Sequence, residues 1–223
     1  MFEVQGRLIP ETIEEIVDPK HTILAIHDMH KYLCDPESGA TYTPGPKAKN
    51  QQEAIQNLVA LRSAARKVGV RVLYTYSAVH NLMEWDSNTD YQLYKDRETI
   101  KKTGKPKQLV SKFGAAAHDF IDELKPEPNE IVLYKPRTDA FIGTDYQNIL
   151  RSLGIRTIII TGRSLEIGVG PAARTGSLLG YFIVVPRDVV MGRNPEDIQD
   201  TMKWLEKNVI VNDSTDLIKA WNV

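Results

Sequence analysis

The 223-residue chain carries 28 basic and 29 acidic side chains, a formal charge of −1, which gives no electrostatic case for nucleic acid or an anionic membrane as partner. Its length suits one domain with a full hydrophobic core. No apolar run approaches the ~18–20 residues needed to span a bilayer, and Met1 to Gly6 has neither the basic nor the apolar region of a secretory signal. The single cysteine, Cys34, excludes an internal disulfide and fits a reducing, cytoplasmic setting.

In chain order, Thr22 to His27 reads as a short buried strand leading into Asp28. From Lys47 to Lys67, Ala54, Leu58, Leu61 and Ala65 fall at helical spacing, and Gly69 closes the segment as a C-cap does. Val70 to Tyr76 is the next strand. A helix is predicted from Ala115 to Leu124, stopped by Lys125-Pro126, and a third strand from Ile131 to Tyr134. Asp145 to Leu153 reads as a helix ended by Gly154, with Thr144 as its N-cap. Thr157 to Ile160 is the fourth strand, followed by a helix from about Ile167 to Leu179. Tyr181 to Val185 is the fifth strand, and Pro195 to Lys207 a helix capped by Asn194. Val209 to Val211 is the sixth strand, and Ser214 caps a last helix through Ala220.

Continuous apolar strands alternating with helices predict an α/β fold, a three-layer α/β/α sandwich around a mainly parallel sheet of roughly six strands. Residues 1–20 read as an N-terminal arm and 21–223 as one domain. Residues 78–112, a polar insertion with Trp85, Tyr91 and Tyr94, read as a lid or an interface element. Ligands of such sheets bind beyond the carboxyl ends of the strands, at a switch in strand order. The residues found there are Asp28, Ser77 to His80, Lys135 and the turn from Thr161 to Gly168.

Taken singly, each has an ordinary explanation. A carboxylate at a strand end caps loops about as often as it does chemistry, and a lysine after a strand is most often a snorkelling surface residue. The segment from Thr157 to Arg174 is more specific. A β-branched run ends at Thr161-Gly162 and opens into a helix, an elbow that presents a side chain and a ring of backbone N–H donors. The glycines of Ile167-Gly-Val-Gly170 let a substrate approach the backbone closely.

This elbow resembles the nucleophile elbow of the isochorismatase-like hydrolases, the superfamily that includes the cysteine amidohydrolases. Ala172-Ala-Arg174 echoes the family's Thr-Ala-Arg. Ile26-His-Asp-Met-His-Lys-Tyr-Leu-Cys34 resembles the family's Asp-Met-Gln-Asn-Asp-Phe-Cys, with Asp28, Met29 and Cys34 matching and His30 in place of glutamine. Lys135-Pro-Arg-Thr-Asp-Ala-Phe141 is similar to Lys-x-Arg-x-Ser-Ala-Phe, with Asp139 in the serine place, and Gly143-Thr-Asp145 resembles the Gly-Thr-Asp-Leu turn. The resemblance covers about His21 to Val211. It implies that Asp28 and Lys135 are catalytic, that the Arg163–Ser164 peptide bond is cis, and that Gly168 stands where the amidases have their cysteine. It further implies a substrate pocket drawing on Arg163, Ser164, Glu166, Ile167, His30, Trp85 and Phe141.

Without a thiol at 168, no acyl-thioester forms by the usual route. Cys34 is no substitute, because it lies six residues past the acid and the family often has cysteine there as well. True isochorismatases resemble this chain in having glycine at that position, and they cleave a vinyl ether by protonation and water addition. The leading expectation is therefore hydrolysis of a small carboxylated substrate of the isochorismate type, with Asp28 as general acid. The alternatives are a thiol-independent amide or ureide hydrolase and an inactive binding protein of the same fold. The nicotinamidase branch binds zinc or iron through Asp-x-His plus a second histidine. Residues 77–84 here offer only His80, so neither metal nor cofactor is expected. The family's habit implies a homodimer or homotetramer.

Overall fold

The computed structural model describes residues 1–34, 43–77, 90–104 and 119–223. The N-terminal arm is a hairpin of β1 (Phe2–Val4) and β2 (Arg7–Ile9), turned through Gln5 and Gly6 at positive φ. A short helix α1 (Ile13–Ile16) follows, capped by Thr12. The remaining elements are β3 (Thr22–His27), α2 (Lys31–Cys34), β4 (Thr43–Pro44), α3 (Gln51–Lys67), β5 (Arg71–Ser77), α4 (Asp90–Thr103) and β6 (Ile131–Lys135). Then come α5 (Tyr146–Ser152), β7 (Thr157–Arg163), α6 (Gly170–Leu178), β8 (Phe182–Pro186), β9 (Val190–Gly192), α7 (Pro195–Asn208), β10 (Ile210–Asn212) and α8 (Ser214–Ala220).

Six strands lie side by side in the order β10-β8-β7-β3-β5-β6, every neighbour parallel. These are the six runs predicted from the sequence. Each strand sends alternate side chains to opposite faces, and helices cover both. On one face Leu24, Ile26, Val72 and Tyr74 pack against Ala54, Leu58 and Leu61 of α3 and Leu217 of α8. On the other, Ile23, Ala25, Leu73, Ile158 and Ile160 meet Leu150, Ala172, Ala173, Met202 and Leu205. Among the described residues no helix is long and apolar enough to cross a membrane.

Several details depart from the sequence expectations. The helix predicted from Ala115 lies partly outside the described residues, and its described end is only a 3₁₀ turn at Asp122–Leu124. The helix after β7 does not begin at Ile167. A π turn, Leu165–Val169, precedes α6. The cap of α8 is Asp213, because Ser214 turns its hydroxyl to Asp188 instead. Likewise α5 is capped at Asp145, although the Thr144 hydroxyl does accept the Tyr146 N–H. The insertion contains the helix α4, on which Tyr91 and Tyr94 are exposed. The strands β4 and β9, which pair with each other and attach to β7, were not predicted.

The chain runs outward from β3 through β5 to β6, then returns to β7 on the other side of β3. That is the switch in strand order, and it sets the C-terminal ends of β3, β5, β6 and β7 around one crevice. Gly162 lets β7 lie against β3 there. Its φ is +95°, and a Cβ on it would collide with the His27 carbonyl. Gly162→Ala is expected to lose more than about 2 kcal/mol of stability, read from denaturant unfolding, since backbone strain and overpacking coincide.

Candidate active site

Asp28 follows β3 with a left-handed backbone, φ 52°, which aspartate tolerates better than most residues. Its N–H donates to the Thr75 carbonyl at 2.9 Å, fixing the turn against β5. Ser77 and Lys135 are register partners at the ends of β5 and β6. They stand two residues beyond Thr75 and Leu133, on the same face as Leu73 and Leu133. The turn at Asp28 brings its carboxylate to both.

Lys135 Nζ lies 2.7 Å from Asp28 Oδ2, with the two side chains 1% and 8% exposed. The ammonium also donates to Ser77 Oγ at 2.6 Å and to the Thr138 carbonyl at 3.2 Å. Three donors thus meet three acceptors. Ser77 in turn donates to Asp28 Oδ1 at 3.2 Å, closing a ring of Asp28, Ser77 and Lys135. A buried ion pair is sustainable only when most of its hydrogen-bonding capacity is filled, and here all three ammonium protons are engaged and each carboxylate oxygen has a donor.

The elbow after β7 forms the opposite wall. The Arg163–Ser164 peptide bond is cis. The Ser164 carbonyl accepts from the N–H groups of Ile167, Gly168 and Val169, at 3.2, 2.8 and 3.1 Å. Those donors close the π turn, so the backbone groups of Ile167 and Gly168, assigned to substrate from the sequence, are engaged within the turn. Gly168 faces Asp28. A Cβ on it would lie 3.7 Å from Asp28 Oδ2, 3.7 Å from the Thr138 carbonyl and 3.4 Å from the Arg163 carbonyl.

The other residues expected in the pocket divide. Ser164 is at the bend and buried. Arg163 is fully buried and donates to the Leu33 carbonyl, bracing the segment after β3. Glu166 points away, its carboxylate accepting from the Arg193 N–H at 3.1 Å beside Gly192. Phe141 packs edge-on to Tyr146, ring centroids 4.8 Å apart, and against Gly176. His30 is buried, and its carbonyl accepts from the N–H groups of Leu33 and Cys34 in α2. Trp85 and His80 lie outside the described residues. Cys34 is buried as well, and burial pushes its thiol up against the weaker pull of Arg163.

Two participants were not singled out from the sequence. Ser77 was only one of four residues after β5, and its strand-end position was its sole signal. Asp139, in the family's serine place, accepts from the Phe141 N–H at 2.9 Å and the Thr175 hydroxyl at 2.6 Å. It ties the loop after Lys135 to α6.

The isochorismatase domain family model matches residues 22–215. The chain belongs to the isochorismatase family. Members of this family are hydrolases. The fold is shared with a cysteine hydrolase from Pseudomonas syringae pv. phaseolicola, at TM-score 0.77 and 18% identity over 93% of this chain and 95% of that one. It is similar to an isochorismatase family protein from Burkholderia thailandensis, at TM-score 0.73 and 20% identity over 92% and 97% of the two chains. N-carbamoylsarcosine amidase from Thermoplasma acidophilum matches at TM-score 0.63 and 23% identity, over 87% of this chain and 96% of its own.

Behind the isochorismatase-family ion pair lies His27, fully buried and edge-on to Tyr146. Burial, then the nearby Lys135 charge, lowers its pKa from 6.5 to about 4, with Asp28 opposing. Unfolded, the imidazole takes a proton near pH 6.5; folded, only near pH 4. The unfolded state therefore binds more protons in that window, and stability is lost as pH falls through it. The difference corresponds to about 3 kcal/mol. His27→Gln is expected to flatten this part of the stability–pH curve relative to the unsubstituted protein, measured by urea unfolding between pH 6.5 and 4.5.

Proposed function

We propose that this chain hydrolyses a small carboxylated substrate by proton transfer and water attack, without a covalent enzyme intermediate, on a vinyl ether of the isochorismate type. The observation that carries this is Gly168. Its φ is not in the left-handed region, and a Cβ there would meet nothing closer than 3.4 Å. Neither the backbone nor the contacts of a Cβ require glycine, and we take the missing side chain as room left for substrate beside Asp28 Oδ2.

In the proposed reaction a substrate carboxylate takes Lys135 as partner. Asp28, buried beside it, carries the proton of the reaction. It delivers that proton to the methylene carbon of the enol ether. Water adds to the resulting oxocarbenium carbon and returns a proton to Asp28, and the hemiketal collapses to pyruvate and an alcohol. One water is consumed and the enzyme is regenerated.

A second reading draws on the resting pair. A carboxylate ion-paired at 2.7 Å is a proton acceptor, which suits water activation for an amide or ureide. The name of the Thermoplasma acidophilum amidase is in keeping with it. For either reaction the working protein is proposed to be a cytoplasmic homodimer or homotetramer. The exposed Phe2, Val4 and Leu8 of the N-terminal hairpin support self-association.

The deciding assay follows pyruvate from isochorismate and ammonia from a panel of amides and ureides, for the unsubstituted protein and Asp28→Asn. Expected is pyruvate release that falls by at least about 100-fold in the variant. Ammonia without pyruvate would favour the second reading, and neither product would leave another substrate or a binding protein.

A further inference from the structure

The ring of Asp28, Ser77 and Lys135 contains one member without an assigned role. Ser77 stands at the end of β5, half-buried, with its hydroxyl between the two charged groups. It accepts from Lys135 Nζ at 2.6 Å and so directs its own proton to Asp28 Oδ1 at 3.2 Å. The two carboxylate oxygens are thereby made unequal. Oδ1 is held by the hydroxyl, whereas Oδ2 faces Lys135 at 2.7 Å and the Gly168 space at 3.7 Å. A carboxylate bonded at one oxygen only could rotate about its Cβ–Cγ bond, a broad torsion. Contacts at both oxygens, to groups on two different strands, remove that freedom.

The geometry points to Ser77 as a positioning residue: it holds Asp28 so that Oδ2 is the oxygen that exchanges a proton with whatever occupies the space beside Gly168. This rests on Asp28 as the proton-transfer group of the proposed reaction, but not on the identity of the substrate.

A thiol installed at 168 reports the geometry without any substrate. Gly168→Cys puts its Cβ in ordinary contact distance of Asp28 Oδ2. Alkylation by iodoacetamide at neutral pH then reads how readily that thiol loses its proton. Cys34, buried and pushed up, provides a slow background, and mass mapping separates the two sites. Rates are compared for Gly168→Cys alone and with Ser77→Ala, Ser77→Thr or Asp28→Asn, at a temperature where thermal unfolding shows every variant to be fully folded.

Expected is a fall of about tenfold with Ser77→Ala, the scale of a hydrogen bond to a charged group. Ser77→Thr, which keeps the hydroxyl, should retain most of the rate, and Asp28→Asn should lose at least as much as Ser77→Ala. If Asp28→Asn slows alkylation and Ser77→Ala does not, the role of Ser77 is overturned while Asp28 keeps its own. If Ser77→Ala slows it and Asp28→Asn does not, Ser77 acts through Lys135 alone, and the assignment is again overturned. If neither slows it, both the assignment and the proton-transfer role of Asp28 fail. A Ser77→Thr rate as low as that of Ser77→Ala would show that packing, not the hydroxyl, is responsible.

Discussion

Lys135 is 1% exposed, and an ammonium so placed must find an acceptor for each of its protons. Much of the crevice follows from that requirement. One acceptor comes from the end of β3, one from the end of β5 and one from the loop that follows β6 itself. The charge therefore ties the ends of three strands and the following loop into one arrangement. Asp28 has to leave the strand in a left-handed conformation to reach it. The Thr138 carbonyl is kept in place by the neighbouring Asp139, whose bond to Thr175 anchors the loop on α6. A buried ion pair is expensive to desolvate and is rarely the most stabilising choice for a core. Its presence at the strand ends fits the proposed reaction, in which the pair works by moving protons.

The absence of a nucleophile at 168 leaves the surrounding architecture intact. The cis bond, the π turn and the small residues of α6 are all present, and Gly168 lies over the carboxylate. π turns frequently mark functional positions in helices. Here the turn gathers three backbone donors on the Ser164 carbonyl and sets the approach of Gly168 to Asp28. The proposed reaction therefore assigns recognition of the substrate to side chains, Lys135 among them, more than to the backbone of Ile167 and Gly168.

Much of this was legible in the sequence, for identifiable reasons. Parallel strands covered on both faces are continuous apolar runs, so Thr157 to Ile160 and Thr22 to His27 stand out without periodicity analysis. Asp28 and Lys135 were legible because each directly follows or ends such a run. The partnership of Ser77 was not, since it depends on the left-handed turn at Asp28, which no local pattern announces. The directions of Glu166 and Phe141 were not legible, because elbow residues point either inward or back to neighbouring elements according to packing. Glu166 is drawn to the Arg193 N–H, and Phe141 to the edge of Tyr146. Strands of two or three residues such as β4 and β9 are too short to carry any alternation.

Asp28 and Lys135 form one coupled, charged unit. A double-mutant cycle with Asp28→Asn and Lys135→Met, read by urea unfolding at neutral pH, tests it most directly. Each single change leaves a buried group without its partner and is expected to cost about 3–5 kcal/mol, while the double variant should cost far less than their sum. Single effects that simply add would contradict the claim, and would mean that the two side chains do not depend on each other.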